Sequence, residues 1–219
     1  LTHSPDGESN PKWSPDNKYL SFTSSREGSS NQLFILNRMG GEAQKLTNLR
    51  GELNDYAWSP DASTLLLTMK DVEDTASKKN KPMVINRYQF KQDVEGYRYD
   101  TRKTHLYLYT IKDKKLDTLT RGNYDESNAR WNPVGTQIAF VSNHTPDPDK
   151  NENTDIFIID AKAGSTERQM TTWKGYDTNP QWSPDGTKIS YHRSTTDDNF
   201  IMYDQSILSI LNVKDGNST

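Results

Sequence analysis

The sequence contains no cysteine among its 219 residues. Without thiols the chain forms no disulfide, offers no cysteine nucleophile and binds no zinc through sulfur. Long apolar runs are also missing, since none approaches the roughly 18 consecutive apolar residues of a membrane-spanning helix. A surplus of positive charge is absent as well, because 27 Lys and Arg stand against 30 Asp and Glu, a net charge of −3. We therefore expect a soluble protein of the cytoplasm or the periplasm that binds neither nucleic acid nor membranes.

Aliphatic side chains are scarce, and hydrophobic residues of all kinds make up only 31% of the chain. Such a low share indicates disorder when the net charge is high, but here the net charge is small. Large apolar surfaces come instead from 5 Trp and 11 Tyr, which favour strands. The composition predicts an ordered, aromatic-rich β protein.

One sequence pattern recurs four times: a Trp, a Pro-containing turn, and then a short apolar alternation. The four turn segments are Trp13-Ser14-Pro15-Asp16-Asn17, Trp58-Ser59-Pro60-Asp61-Ala62, Trp131-Asn132-Pro133-Val134-Gly135 and Trp182-Ser183-Pro184-Asp185-Gly186. Pro fixes the φ of the second turn position, and Asn or Gly accepts a left-handed conformation at the end, where Ala62 is costlier. We expect each Trp to pack between adjacent sheets.

The Trp residues of the four repeats are separated by 45, 73 and 51 residues. A period of about 40–50 residues with four strands per unit is typical of β-propeller blades. We therefore predict an all-β fold over residues 1–219, an incomplete ring of about four four-stranded antiparallel blades. The blades are expected at about 3–47, 48–120, 121–171 and 172–219. The longest spacing indicates an insertion at 71–103.

The inserted segment has two halves of different character. Asp71 to Lys81 is polar and Lys-rich, which predicts an exposed loop. Met83 to Phe90 alternates between apolar and polar residues, which predicts a strand. A polar turn follows, and Gly96 to Tyr99 is expected to form the second strand of a projecting hairpin.

The Trp-Ser-Pro-Asp-Gly units resemble the WD40-like propeller repeats of TolB-like proteins and of the prolyl oligopeptidase family of serine peptidases. The resemblance covers essentially the whole chain. Two stretches favour the acylaminoacyl-peptidase and dipeptidyl-peptidase-like members of that family. They are Lys81 to Lys91 with Arg102 to Tyr107, and Tyr124 to Ser127 with Ile138 to Asn143.

This resemblance implies a non-catalytic, amino-terminal propeller portion of a serine peptidase. Family members carry the Ser-Asp-His triad on a separate α/β-hydrolase domain, and no Gly-x-Ser-x-Gly nucleophile elbow occurs in this sequence. The propeller would cap that active site and restrict access to short peptides. We expect a fragment whose partners are the α/β-hydrolase domain of the same parent chain and a peptide substrate, with self-association possible through its end blades. The alternative is a TolB-like protein-interaction propeller in the periplasm.

The resemblance also implies that elements projecting from the propeller contact the substrate. On this basis Arg87, Tyr97 and Arg102 in the inserted segment are the candidate substrate-binding residues. Arg suits a peptide carboxylate or carbonyl group, and Tyr can stack and form hydrogen bonds. The competing interpretation is a hairpin whose aromatic residues pack on the neighbouring blade.

No cofactor or metal site is predicted. The four histidines, interpreted as loop or strand-surface residues, are His3, His105, His144 and His192. One stretch alternates oxygen-bearing side chains as calcium loops do: Asp147, Asp149, Asn151, Asn153 and Asp155. Glu152, however, stands where the EF-hand pattern needs Gly, and Ile158 where it needs Glu. We interpret this stretch as an ordinary connection between strands.

Overall fold

A computed structural model of the chain describes residues 7–26, 28, 30–72, 85, 88–94, 96–97, 102–197 and 204–218. This part of the chain contains strands and turns but no helix. The strands are β1 (Glu8–Trp13), β2 (Tyr19–Ser24), β3 (Gln32–Asn37), β4 (Gln44–Lys45), β5 (Glu52–Trp58), β6 (Thr64–Lys70), β7 (Lys91–Gln92), β8 (Gly96–Tyr97), β9 (Thr104–Thr110), β10 (Lys115–Thr118), β11 (Glu126–Trp131), β12 (Gln137–Ser142), β13 (Asp155–Asp160), β14 (Arg168–Gln169), β15 (Asp177–Trp182), β16 (Lys188–Ser194) and β17 (Ser206–Asn212).

Fifteen of the strands form four consecutive antiparallel sheets, each a simple meander, and β7 and β8 pair separately as a short hairpin. Sheet 1 contains β1–β4, sheet 2 contains β5, β6, β9 and β10, sheet 3 contains β11–β14, and sheet 4 contains β15–β17. The sheets follow one another without closing into a ring. The predicted all-β fold with an incomplete ring of antiparallel blades is therefore confirmed.

The repeated turn joins the first two strands of every sheet and has the predicted conformation. Its last residue has a positive φ in all four copies: 57° at Asn17, 59° at Ala62, 74° at Gly135 and 70° at Gly186. The N–H of Gly186, for example, donates to Ser183 O at 2.9 Å. The Ser183 hydroxyl donates to Asp185 Oδ1 at 2.6 Å, which fixes the turn from inside.

A second left-handed position precedes three of the four turns. Asn10, Asn128 and Asn179 have φ values of 52°, 49° and 54°. Each lies three residues before a repeat Trp, where the pairing of the first two strands shifts register. Asn tolerates this conformation better than most residues, so the position forms a β-bulge. The sequence pattern that indicates this bulge is Asn-x-x-Trp.

Apolar residues from consecutive sheets form the three junction cores. The second strand of one sheet meets the third strand of the preceding sheet, as Leu65 and Leu67 meet Leu33 between sheets 1 and 2. The other two cores pair Phe140 with Leu106 and Tyr191 with Ile156. Because each core needs side chains from both sheets, the junctions stabilise the fold through buried apolar surface.

Three of the repeat Trp residues pack at these junctions as predicted. The indole N–H groups of Trp58, Trp131 and Trp182 donate to the preceding sheet, at Ser21 Oγ (2.8 Å), Ala57 O (3.3 Å) and Arg130 O (3.2 Å). Trp13 differs, because it is 54% exposed. The expectation was wrong for this residue because no described sheet precedes sheet 1.

The two outer faces of the arc differ in how they are covered. On sheet 1 the stacked rings of Phe22 and Phe34 are buried, and the Arg26 guanidinium lies 5.2 and 4.7 Å from their centroids. On sheet 4 the outer face instead exposes Leu208 (70%) and Ile210 (42%). The register gives Leu208 the place of Leu33, Leu106 and Ile156, all fully buried at the junctions. The arc therefore has one covered end and one apolar, exposed end.

The inserted segment contains less strand than predicted. Ile85 and residues 88–90 lie outside any strand, and pairing begins only at Lys91, which faces Tyr97 across the short β7–β8 ladder. The predicted strand over Met83 to Phe90 is therefore wrong for its described members. The rest of that strand, and the predicted loop after Val72, lie outside the described residues.

Candidate functional site

The two edges of the sheets have connections of different length. At one edge, the turn end, each sheet carries the tight Trp-x-Pro turn (x is Ser or Asn) and the short turn after its third strand. At the other edge, the loop end, the second and third strands are joined through residues 25–31, 71–103, 143–154 and 195–205. Long connections of this kind carry most binding and catalytic residues in proteins. All three candidate substrate-binding residues fall, in sequence, within the 71–103 connection.

Arg102 is held at the base of the inserted segment. Its guanidinium donates to Glu52 Oε2 at 3.2 Å and to Asp71 O at 3.4 Å. The Tyr97 backbone pairs with Lys91 in the β7–β8 ladder, and Arg87 lies outside the described residues. Substrate binding by these three residues therefore stays a prediction.

The base of the inserted segment is closed by Asp71. The Asp71 N–H donates to Lys103 O at 2.8 Å, so the two ends of the insertion meet. Asp71 Oδ1 accepts hydrogen bonds from His105 Nδ1 at 2.9 Å and from the Tyr107 hydroxyl at 2.7 Å. Burial and the hydrogen bond to Asp71 both raise the pKa of Tyr107. We call Asp71, His105 and Tyr107 the insertion base.

Behind the insertion base, between sheets 2 and 3, ionisable side chains form a junction cluster of His105, Glu126, His144 and Glu167. Glu126 is 2% exposed, and its burial, with the nearby carboxylates of Glu167, Asp125 and Asp71, raises its pKa to about 9. The His144 ring lies between those of Tyr124 (3.9 Å) and Phe157 (4.2 Å), and burial lowers its pKa. His144 Nδ1 is 3.6 Å from Glu167 Oε1.

The interpretation of the histidines as surface residues was wrong for two of them. His105 is only 5% exposed, and most of the His144 side chain is buried. His192 is exposed, whereas His3 lies outside the described residues. The hydrogen-bond partner of His105, Asp71, lies 34 residues before it, so no local sequence signal indicates its burial.

A cleft of about 300 Å³ opens at the loop end between the insertion and the 143–154 connection. The Gln89 N–H donates to Asp149 Oδ2 at 2.8 Å and so joins these two segments. On the opposite wall, Asp125 accepts hydrogen bonds from Lys103 Nζ at 3.2 Å and from the Thr104 N–H at 2.9 Å. Hydroxyl and amide side chains line the rest of the cleft together with Val141, Pro148 and Glu152, a mixture of polar and apolar groups that a peptide can contact.

The 143–154 connection is organised by hydrogen bonds of its own side chains. The Asn143 amide donates to Asn151 Oδ1 at 2.9 Å, and Asp147 pairs with Lys150 at 3.2 Å. Asp155 accepts from Thr171 and Gln169, and its burial raises its pKa to about 6. Across the described residues, no group of three or more His, Cys, Asp or Glu side chains is arranged to hold a metal ion.

A search of the described residues for a helix long and apolar enough to cross a membrane finds none.

No family model matches the sequence. The chain is 31% identical over 168 residues to the uncharacterized peptidase YuxL of Bacillus subtilis, which covers 72% of the chain and 25% of that protein. It is 27% identical over 215 residues to dipeptidyl-peptidase 5 of Porphyromonas gingivalis, covering 87% of the chain and 30% of that protein. The chain therefore spans less than a third of the length of these curated relatives.

Solved structures of similar fold cover nearly the whole chain. The acylaminoacyl peptidase of Pyrococcus horikoshii matches with a TM-score of 0.66 at 16% identity, over 97% of this chain and 31% of that one. TolB of Acinetobacter baumannii matches with a TM-score of 0.60 at 17% identity, over 98% of this chain and 43% of that one. The β-propeller domain of the Trilobed protease of Pyrococcus furiosus matches with a TM-score of 0.58 at 16% identity, over 94% of this chain and 56% of that one.

The fold, the repeat and these structures together define the chain as a β-propeller segment. Its curated relatives in sequence are peptidases, so it is a propeller of the kind found in peptidase-family proteins. The resemblance to the propellers of such peptidases and of TolB-like proteins is confirmed.

Proposed function

We propose that the chain is the non-catalytic propeller of a serine peptidase. It covers the active site of an α/β-hydrolase domain in the same polypeptide and admits only short peptides. The observation that carries this proposal is the sequence similarity to peptidases over most of the chain. The difference between the two edges of the sheets supports it, because the longest connections, 71–103, 143–154 and 195–205, lie at the loop end, where an adjoining domain and a substrate can contact them.

Within this proposal Arg87, Tyr97 and Arg102 contact the peptide. Arg102 is oriented by Glu52 and by the Asp71 carbonyl, so its guanidinium is held in place before a peptide arrives. An oriented guanidinium loses less conformational entropy on binding than a free one. The cleft beside Asp125 would accommodate the backbone of the same peptide.

The test is made in the full-length polypeptide, with steady-state hydrolysis of a chromogenic dipeptide substrate. We expect Arg102→Ala to raise KM several-fold while kcat changes less, because the lost contact holds the peptide rather than the reacting bond. Arg168→Ala, at the outer edge of sheet 3, is the matched control and should leave both constants unchanged. An unchanged KM in Arg102→Ala contradicts the substrate role of Arg102, and cleavage of folded proteins contradicts the capping role.

A second candidate is a TolB-like protein-interaction propeller, which the likeness in fold to TolB favours. The two candidates differ in what the full-length polypeptide does with peptides. A full-length polypeptide that does not hydrolyse them, but captures a protein partner through the loop end, would support the interaction propeller. We also propose that the isolated chain self-associates through the exposed outer face of sheet 4.

A further inference from the structure

The first strand of each sheet begins with an acidic residue at the loop end. The four residues are Glu8, Glu52, Glu126 and Asp177. Three of them pair with an arginine of the same repeat: Glu8 with Arg26 at 2.6 Å, Glu52 with Arg102 at 3.2 Å, and Asp177 with Arg193 at 2.9 and 3.0 Å. Pairing with a guanidinium is therefore the usual state of this position in the repeat.

Glu126 is the exception among the four acids. None of the described arginines pairs with it, and its Oε2 atom is buried without a hydrogen-bond partner. The residue is 2% exposed, and its burial, together with the carboxylates of Glu167, Asp125 and Asp71, raises its pKa to about 9. The carboxyl group of Glu126 is thus protonated at pH 7, in a place where sheet 4 has an ion pair.

The strand register shows which residue stands in the place of the arginine. In sheet 4, Asp177 lies opposite Arg193 across β15 and β16. In sheet 3, Glu126 lies opposite Ser142 across β11 and β12. The two ladders correspond, because each also pairs its repeat Trp with an Ile four residues before that partner. Sheet 3 therefore has a serine where sheet 4 has a guanidinium.

Ser142 connects this position with the cleft at the loop end. It lines the cleft of about 300 Å³ together with Asp125 and Ser127, the two chain neighbours of Glu126. The Ser142 hydroxyl donates to Asp125 O at 3.0 Å. A group that enters the cleft at Ser142 thus approaches Glu126 from the side on which Arg193 approaches Asp177.

The unpartnered atoms of the junction cluster are suited to a group that carries N–H donors. His105 Nδ1 is bonded to Asp71 Oδ1, so the proton of the neutral imidazole is on Nδ1 and Nε2 is an acceptor. Like Glu126 Oε2, the Nε2 atoms of His105 and His144 are buried without a partner. The described side chains are not arranged to hold a metal ion, whereas a guanidinium has five N–H donors and binds a carboxylate through two of them.

We propose that Glu126 and the cleft at Ser142 form a binding site for a guanidinium group carried by another molecule, the arginine side chain of a peptide. The guanidinium takes the place beside Glu126 that Arg193 takes beside Asp177, and the rest of the ligand lies in the cleft. Binding of the cation releases the proton of the Glu126 carboxyl group to the solvent. This site goes beyond the proposed function, because it requires neither hydrolysis nor a second domain.

The proposal is tested on the unmodified chain with two probes at pH 7. N-acetyl-arginine amide carries the guanidinium, and N-acetyl-citrulline amide has nearly the same shape without the charge. Both lack free peptide termini. We expect the arginine probe to shift the carboxyl carbon resonance of Glu126 saturably toward that of the ionised form, and the citrulline probe to bind at least tenfold more weakly. Equal affinities of the two probes, or no shift with the arginine probe, overturn the proposal.

Two matched variants show whether the carboxyl group of Glu126 is the receptor. Glu126→Gln should no longer bind the arginine probe, as followed through the N–H resonances of Ser127 and Ser142. Glu8→Gln removes the same charge at the same position of sheet 1, where Arg26 already pairs with it, and should bind like the unmodified chain. An equal loss in both variants would show attraction by the overall charge alone and overturn the site.

A third variant supplies the guanidinium from the chain itself. Ser142→Arg should no longer bind the arginine probe, and its Tm should be higher than that of the double variant Glu126→Gln and Ser142→Arg. Probe binding as in the unmodified chain would overturn the placement of the ligand. If Ser142→Arg does not fold, the comparison of the two probes on the unmodified chain decides.

Discussion

At the last position of the repeated Trp-x-Pro turn, different residues adopt the same backbone conformation. All four copies have a positive φ, but only Gly135 and Gly186 adopt it without steric cost. Asn17 tolerates it, whereas the Cβ of Ala62 is crowded by the backbone, at a cost of about 1–2 kcal/mol. The turn of sheet 2 is therefore the strained copy.

We expect Ala62→Gly to stabilise the chain by about 0.5–1 kcal/mol, because the relief of strain exceeds the extra entropy of glycine in the unfolded state. The reverse change, Gly186→Ala, should destabilise it by a similar amount. Urea unfolding of the two variants measures both effects. A destabilised Ala62→Gly variant would contradict the strain argument.

The pH dependence of the chain also originates at single residues. Because the pKa of Glu126 is raised from its ordinary 4.5 to about 9 in the folded state, the unfolded state releases this proton first as the pH rises. The contribution of Glu126 to stability is thus fully present below pH 4.5 and is lost on the way to pH 9. We expect Glu126→Gln to raise the Tm by several degrees at pH 9 and to change it little at pH 5, as measured by thermal unfolding.

At the scale of a strand, the β-bulge before each Trp determines where the first strand bends. Asn10, Asn128 and Asn179 occupy it in sheets 1, 3 and 4, whereas sheet 2 shifts register between Leu53 and Asp55. Asp55 instead accepts hydrogen bonds from Asn10 Nδ2 at 2.9 Å and from Lys12 Nζ at 2.6 Å across the junction. The bulges therefore bend the first strand of each sheet, and the contacts of Asp55 also join sheets 1 and 2.

For this strand we expect Asn128→Ala to destabilise the chain by about 1–2 kcal/mol, because a Cβ without a polar group gains nothing from the left-handed conformation. Asn128→Gly should be tolerated within about 0.5 kcal/mol. Denaturant unfolding compares the two variants. Equal losses in both would mean that the Asn side chain, and not its φ, stabilises the bulge.

The alternation of apolar and polar residues along the sequence correctly predicted the strands that pair within a sheet. In the inserted segment it predicted a strand that the described residues do not form. Ile138 to Val141 alternates and becomes β12 because β11 and β13 are there to pair with it. Ile85 and Tyr88 to Phe90 alternate as well, yet they form no strand, since alternation alone supplies no pairing partner. The buried histidines were missed for a related reason, because their partners come from distant parts of the chain.

At the scale of the whole molecule, the arc has an apolar end on sheet 4. Leu208 and Ile210 are exposed there, although their counterparts in the other sheets are largely covered by the next sheet. Adjacent exposed apolar side chains of this kind favour association. The repeat period and the apolar positions of the junctions could be recognised in the sequence. The exposure of the outer face of sheet 4 could not, because it depends on whether another sheet packs against that face.

We expect the isolated chain to self-associate in a concentration-dependent way through this face. The double variant Leu208→Asp and Ile210→Asp should shift the equilibrium to the monomer, because association would bury the new charges. Val134→Asp is the control, since Val134 is also exposed but lies at the turn end. Sedimentation velocity measures all three proteins. A monomeric unmodified chain, or unchanged association in the double variant, would contradict this assignment.

The isolated chain should also be inactive. We expect no hydrolysis of dipeptidyl or acylaminoacyl chromogenic substrates, because the sequence has neither a nucleophile elbow nor a cysteine. Turnover that persists at constant specific activity through further purification would reveal a catalytic site in this part of the polypeptide.

The three junction cores join only consecutive sheets, and this has a consequence for how the chain unfolds. A structure held together by nearest-neighbour interfaces behaves as a one-dimensional array, in which stability is a sum over units and interfaces. Sheets 2 and 3 each take part in two interfaces, whereas sheet 4 takes part in one and lacks a cover on its other face. Unfolding should therefore begin at sheet 4 and proceed along the arc, so that partly unfolded forms retain sheets 1 to 3 with their connections still in place.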